Sequence, residues 1–407
     1  MNEKIIAELA ERNDSFYLYD EGEIISRAEK LKDDISDAGL LYSIKANPDI
    51  HVVKCLADLG FGADAASAGE VEIAAAAGIP ASDIYYSAPG KTDHDLQKTL
   101  GRCVIIADSI GEIRRINKTA AAVGEHVDIG LRINPDFHLS EDTCESMDGR
   151  PSKFGMDRDL ALAALSKWEF DRVRVNGIHI HLGSQMLDHE MIEDYHENVL
   201  RTAAEIRETL GRDLVFINLG SGIGIPYGSD ETDVDTTAIG RNLKKLAERY
   251  DFGKTRLIME TGRYVAGPAG IYVSKVIDKK VSGGVIYVIL AGTLNGFIRP
   301  SLERLIENCA GGAPVSGCEP LFNGIYGGFR PETLKKDGVT ETVTLVGNLC
   351  TAADVVAESV ELPGPEPGDV VLFRNAGAYG AVLTPMQFAS QPRPKEFFLT
   401  AEGRVIG

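Results

Sequence analysis

Between residues 39 and 263, short β-type runs alternate with helix-length segments, and this alternation constrains the fold more than any other feature of the chain. The strand candidates are "LLYSIKA" (40–46), "FGADAAS" (61–67), "DIYYSAP" (83–89), "CVIIADS" (103–109), "VDIGLRIN" (127–134), "NGIHIHLGS" (176–184), "LVFINLGSG" (214–222) and "RLIMETG" (256–262). Helix-like stretches such as "SAGEVEIAAAAG" and "SIGEIRRINKTAAAVG" lie between them. Such alternation predicts an α/β fold with a parallel sheet. Eight strands over roughly 225 residues match the usual size of a (β/α)8 barrel, with a doubly wound open sheet as the rival arrangement. After about Gly270 the runs become short and are separated by Gly, Pro and acidic turns, as in "VTLVGNL" and "GDVVLFRN", which reads as a β domain.

Composition excludes several classes of partner. The 407 residues carry 61 acids against 42 bases, a formal charge of −19, which argues against nucleic-acid or anionic-membrane binding. The first twenty residues are charged throughout and no long apolar run follows, so neither a signal peptide nor a membrane span is expected. The six cysteines (55, 103, 144, 309, 318 and 350) include no C-x-x-C pair, which fits reduced thiols and a cytoplasmic location.

In a barrel the C-terminal ends of the strands face one shared pocket. Those ends carry Lys45, Asp64, Ser87, Asp108, Arg132, His181, the glycines of "GSGIG" (220–224) and Glu260. Lys45 interrupts an apolar run, where an ammonium belongs only if paired, neutral or covalently bound. It is either a snorkelling lysine or a Schiff-base amine activated by desolvation. "NLGSGIG" sets glycines after a strand, where backbone N–H groups approach an anion such as phosphate, or where the chain simply turns tightly. His179 and His181 share a strand face and read as metal ligands or as packed core imidazoles. Glu260, followed by Arg263, is one half of an ion pair or a carboxylate aimed at a protonated ring nitrogen.

Together these segments resemble the fold-type III, alanine-racemase-like enzymes that use pyridoxal 5′-phosphate (PLP), and within them the diaminopimelate/ornithine decarboxylase family. "YSIKAN" resembles the PLP-lysine motif, "HLGSQ" the ring-stacking histidine segment and "GSGIGIPY" the phosphate loop, with Ser221 in place of the usual middle glycine. "ETGR" is similar to E-P-G-R with Thr261 for proline, "LCTAAD" to C-[ED]-x-x-D, and "GAYG" to the G-A-Y that puts a tyrosine on the phosphate. The resemblance implies a PLP-binding TIM barrel of alanine-racemase type over residues 25–268. It also implies a β-sandwich or barrel built from 1–24 and 269–407 that contributes to a dimer active site.

By this resemblance Lys45 forms the Schiff base with PLP and His181 stacks on its ring. Ser184, Gly222, Arg263 and Tyr379 hold the phosphate, and Glu260 pairs with the pyridine nitrogen. Asp64, Arg132, Thr261 and Gly262 complete the cofactor contacts, and no metal is expected. Cys350 is the acid that returns a proton to Cα, and with Thr351 it reaches the site from the second subunit of a homodimer. An acid at 260 together with Cys350 favours decarboxylation over racemisation, since racemases of this fold set an arginine against the ring nitrogen. Arg299, Thr351 and Tyr379 are the expected substrate contacts.

Two substitutions bear on the substrate. Thr351 stands where relatives carry an acid for the distal amine, and "RPSLE" puts Glu303 where the family has tyrosine. Glu303 reads as a solvated helix residue or as a substitute for the missing charge. "SAPGKTD", "MDGRPSKFGM" and "VGNLCTAADV" look closer to a branch that includes the glutamyl-carrier-protein decarboxylase of butirosin synthesis and siderophore decarboxylases. The expected reaction is therefore α-decarboxylation of an amino acid with a modified or conjugated side chain, where Arg299 meets a carboxylate of the conjugate. Diaminopimelate decarboxylation, or that of another diamino acid, is the alternative. A non-catalytic PLP-binding regulatory homologue would lack the lysine or the cysteine, and a metal-dependent hydrolase would leave Lys45 without a role.

Overall fold

The computed structural model describes residues 2–137, 152–317 and 319–407. His138, Cys144, Cys318 and the first part of "MDGRPSKFGM" lie outside these residues. The chain divides into two compact units, one of Met1–Ile24, Ile225–Thr232 and Arg263–Gly407, the other of Ile25–Gly224 and Asp233–Gly262.

In the second unit eight parallel strands form a closed ring among the described residues. Gly39–Ser43, Gly62–Ala65, Ile84–Tyr86 and Val104–Ala107 pair in succession. Val127–Asn134, Val173–His179, Phe216–Asn218 and Arg256–Thr261 continue the ring back to Gly39–Ser43. The intervening helices start where the sequence supplies a cap. Ser67 accepts from Glu70 N at 3.1 Å, Ser109 accepts from Glu112 N at 3.1 Å, and Thr92 with Asp95 forms a capping box. Inside the ring Leu41, Tyr85, Ile106, Phe216 and Ile258 pack as one apolar cluster. A Cβ on Gly177 would lie 2.5 Å from the Phe216 ring and one on Gly130 would lie 2.8 Å from it, so two glycines in strands make room for that ring.

Two strand limits differ from the sequence reading. The first strand stops at Ser43, and Lys45 sits in a single 3-10 turn, Ile44–Ala46. The sixth stops at His179, so His181 lies beyond it.

The other unit is a mixed sheet of nine strands among the described residues. Ser15–Asp20 runs antiparallel to Gly270–Ser282 and parallel to Lys395–Leu399. Alternation divides its side chains: Phe16 and Leu18 join Ile271, Val273, Leu372 and Leu399 in the core, while Tyr17 meets the rings of Tyr272 and Phe297. Residues 225–232 and 263–268, drawn into the barrel from sequence, group with this sheet. The turn Arg263–Ala266 is fastened there because Gly377 N donates to Gly267 O at 3.1 Å and Ala376 N donates to Gly270 O at 2.9 Å.

Helix Ile298–Ala310 falls where the sequence pattern shows few helices. Its buried side is polar, with Arg299, Ser301 and Glu303 inside and Leu305 exposed, so apolar periodicity marks it poorly. Among the described residues no helix is long and apolar enough to cross a membrane.

Candidate active site

The barrel unit gathers its charged side chains at the strand ends read from sequence. Strand register sets Ser43 opposite Asp64 and Tyr42 opposite Thr261. Asp64, fully buried, accepts from Lys45 Nζ and, at 3.0 Å, from Ser43 Oγ through Oδ2; its Oδ1 accepts from Ser87 Oγ at 2.6 Å. The Lys45 amine thus meets a carboxylate that also accepts from two hydroxyls. A Cβ on Gly262 would lie 3.0 Å from Ala46 Cβ and 3.2 Å from Ser43 Cβ, so a side chain there would crowd the end of the eighth strand against the lysine turn. Arg132 donates to Ser87 O at 3.1 Å with its guanidinium 4.6 Å from the Phe154 ring centre, and Asp108 accepts from Gly155 N at 3.0 Å.

Glu260 is the second focus. Its Oε1 accepts from Asn218 Nδ2 at 2.9 Å and lies 3.1 Å from His179 Nε2; its Oε2 stands 3.7 Å from His181 Nδ1. Burial works to raise this carboxyl, but His179, His181 and Lys45 outweigh it and hold the group well below the usual carboxylate range. Burial lowers His181 to about 4, which leaves a neutral imidazole. The two imidazole planes differ by 17° with centres 6.4 Å apart. His179, read from sequence as a metal ligand or core residue, is a buried neighbour of Glu260. Neither its role nor that of Asn218 is legible in the sequence, because both depend on which strand ends adjoin.

Two loops of this unit run side by side. Met186 N donates to Gly222 O at 2.7 Å and Gly224 N donates to Met186 O at 2.9 Å, which brings the "HLGSQ" and "GSGIG" segments together. Gly220 and Gly222 have φ of 63° and 129°, positions that disfavour any side chain. Ser184 is half-buried in the first loop, and Thr261 Oγ1 is buried without a hydrogen-bond partner among the described residues.

The β unit holds the remaining candidates. Arg263, buried, donates through Nη1 to Tyr227 Oη at 2.8 Å and through Nη2 to Glu319, with its guanidinium 4.8 Å from the Tyr379 ring centre. Burial would lower this cation, but Tyr227, Glu319 and Tyr379 prevail and raise it. Arg299 is fully buried between the rings of Tyr227 and Phe329, at 5.0 and 4.8 Å, and donates through Nη1 to Tyr227 Oη at 3.2 Å. Glu303 is 2% exposed, not solvated. Burial pushes its carboxyl up to about 8, so it is protonated at neutral pH and does not supply the charge considered for it. Cys350 is exposed, and Thr351 Oγ1 accepts from Ala353 N at 3.3 Å. The loop that carries them is tied down by Asp354, which accepts from Leu349 N at 3.0 Å and from Leu294 N at 3.2 Å.

Residues 21–267 match the family described as "Pyridoxal-dependent decarboxylase, pyridoxal binding domain". The chain is 33% identical over 390 residues to the L-glutamyl-[BtrI acyl-carrier protein] decarboxylase of Niallia circulans, covering 94% of this chain and 87% of that one. It is 29% identical over 391 residues to the diaminopimelate decarboxylase of Thermoplasma acidophilum, covering 96% and 88%. The crystal structure of diaminopimelate decarboxylase from Helicobacter pylori complexed with L-lysine superposes with a TM-score of 0.82 at 26% identity, over 99% of this chain and 95% of that one.

Proposed function

The chain belongs to the pyridoxal-dependent decarboxylases, and on that premise we propose that it removes the α-carboxyl group of an amino acid whose side chain is modified or conjugated. The barrel's donor set fits PLP: an amine beside a carboxylate, an ionised Glu260, a neutral flat His181 and a glycine-lined backbone. When bound, PLP supplies the aldehyde carbon that takes an amine and the ring that accepts the electron pair left by departing CO2. Asp64 orients the Lys45 amine for attachment and for displacement by substrate. Glu260, anchored at Oε1, would meet the proton of the ring nitrogen through Oε2. His181 would stack on the ring. Ser184, Gly222 and Tyr379 are assigned to the phosphate, and Arg132, Thr261 and Gly262 to the remaining cofactor contacts, whereas Arg263, which the resemblance sets on the phosphate, is engaged by Glu319 and Tyr227. Cys350, supplied by the second copy in a homodimer, protonates Cα.

The charge at the substrate's far end carries the substrate reading. Thr351 is neutral and the Glu303 carboxyl stays protonated at pH 7, so neither offers an anion to a distal ammonium. That suits an acylated side chain better than a free diamino acid, and the relative named for a glutamyl group on a carrier protein points the same way. Diaminopimelate or another diamino acid is the second reading, favoured by the diaminopimelate decarboxylase relatives. CO2 release from a glutamyl thioester on a carrier protein is compared with release from free diaminopimelate, lysine and ornithine. The expected kcat/KM favours the conjugate by about 10-fold or more, and faster release from free diaminopimelate reverses the assignment.

A further inference from the structure

Two buried arginines of the β unit, Arg263 and Arg299, converge on a single carboxylate. Glu319 accepts from Arg263 through Oε2, and its Oε1 stands 3.8 Å from Arg299 Nη2 in an ion pair without a hydrogen bond. All three side chains are 3% exposed or less, and Tyr227 Oη accepts from both arginines. Such a pair is a ready carboxylate receptor, since a planar guanidinium matches a carboxylate and two of them hold it strongly. Here the chain's own side chain fills it.

We propose that Glu319 is an internal carboxylate that closes the Arg263–Arg299 receptor, so that the substrate group presented to Arg299 ends in an uncharged carbonyl and not in a free carboxylate. The inference rests on the reading of Arg299 as a substrate contact and narrows its ligand to an ester, thioester or amide. It also replaces the sequence expectation that Arg299 meets a carboxylate of the conjugate. The surrounding polar atoms suit a neutral acceptor. A Cβ on Gly328 would lie 3.5 Å from Glu303 Oε1 and 3.6 Å from Asn323 Nδ2, and both atoms are buried without a hydrogen-bond partner among the described residues. Glu303 Oε2 accepts from Gly328 N at 3.1 Å, and its raised carboxyl keeps a proton to donate at neutral pH. A neutral acid and an amide N–H lining the same space serve a carbonyl oxygen. A substrate carboxylate would instead have to displace Glu319, leaving that charge buried and unpaired.

The test removes the internal charge at constant shape. Glutarate titrated calorimetrically into holoenzyme is expected to bind Glu319→Gln at least about 10-fold more tightly than wild type. In turnover, the preference for the γ-methyl ester of L-glutamate over L-glutamate is expected to fall about 10-fold in the variant, while Glu319→Asp retains it. Equal glutarate affinity in wild type and Glu319→Gln, with unchanged circular dichroism, overturns the proposal. If Glu319→Gln does not fold, wild-type crystals soaked in glutarate decide: Glu319 still on both arginines supports the closure, and glutarate in its place refutes it. The glutarate measurement needs no turnover, so it still decides the closure if the conjugate reading fails through rapid decarboxylation of free diamino acids.

Discussion

In the barrel unit the half-buried Lys45 pairs with Asp64 and the buried Lys91 with Glu112, whereas in the β unit Arg263 and Arg299 share Glu319. The barrel pairs come from successive strand–helix repeats whose neighbours are fixed by parallel register. Lys91 shows how complete such matching is: its ammonium donates to Ala88 O, Ile106 O and Glu112, each at 2.7 Å. The β cluster is assembled from residues 227, 263, 299 and 319, which lie on separate loops and helical segments, and several of its polar atoms have no hydrogen-bond partner among the described residues. Fully matched buried charge rigidifies a site, while unmatched polar atoms are costly unless a ligand uses them.

Lys45→Ala breaks the matched region most severely. Asp64 keeps Ser43 and Ser87 as donors, so the barrel is expected to stay folded while the visible absorbance expected of PLP attached to this lysine disappears and turnover falls roughly 1000-fold or more. Visible absorbance and CO2 release check this, and full activity with colour retained would show that the amine is not the attachment point. His179→Leu is milder. It removes one of the groups that hold the Glu260 carboxyl low and so raises it, and kcat is expected to drop about 10-fold, or about 1.4 kcal/mol, with KM little changed. His179→Gln, which keeps a donor, should recover part of the loss.

The smallest effect belongs to Glu303 and sharpens the contrast from the other side. Its carboxyl lies near 8 in the folded chain, above its value when unfolded. The folded state therefore binds the extra proton, and the stabilisation, complete at acidic pH, is lost as pH rises toward 8. Glu303→Gln mimics the protonated acid and escapes that loss. The melting temperature of the variant should exceed that of wild type by about 2–4 °C at pH 8 and converge with it near pH 5. A gap independent of pH would mean that the acid is already ionised.

How far these regions can be read from sequence follows from the same contrast. Lys45, Asp64, His181 and Glu260 are legible because strand ends recur at each repeat and face one way, so position alone nominates them. The turn at Ile44–Ala46 is not, since apolar residues continue through it and only the geometry after Ser43 ends the strand. His179 escapes a sequence reading because its partner comes from a strand about eighty residues on. Glu303 is misplaced for a different reason: its helix turns a charged face inward, and pattern reading assigns charge to solvent. Glu319 carries no signal at all, because its meaning depends on two arginines distant in sequence that meet around it.

The position of Ser15–Asp20 between Gly270–Ser282 and Lys395–Leu399 has a consequence for biosynthesis. A ribosome delivers this strand before the barrel and its two neighbours only after the barrel has emerged. Until then it is an apolar ribbon with both edges bare, the kind of segment that chaperones shield and proteases find. Any nascent chain released early leaves it unpartnered on at least one side.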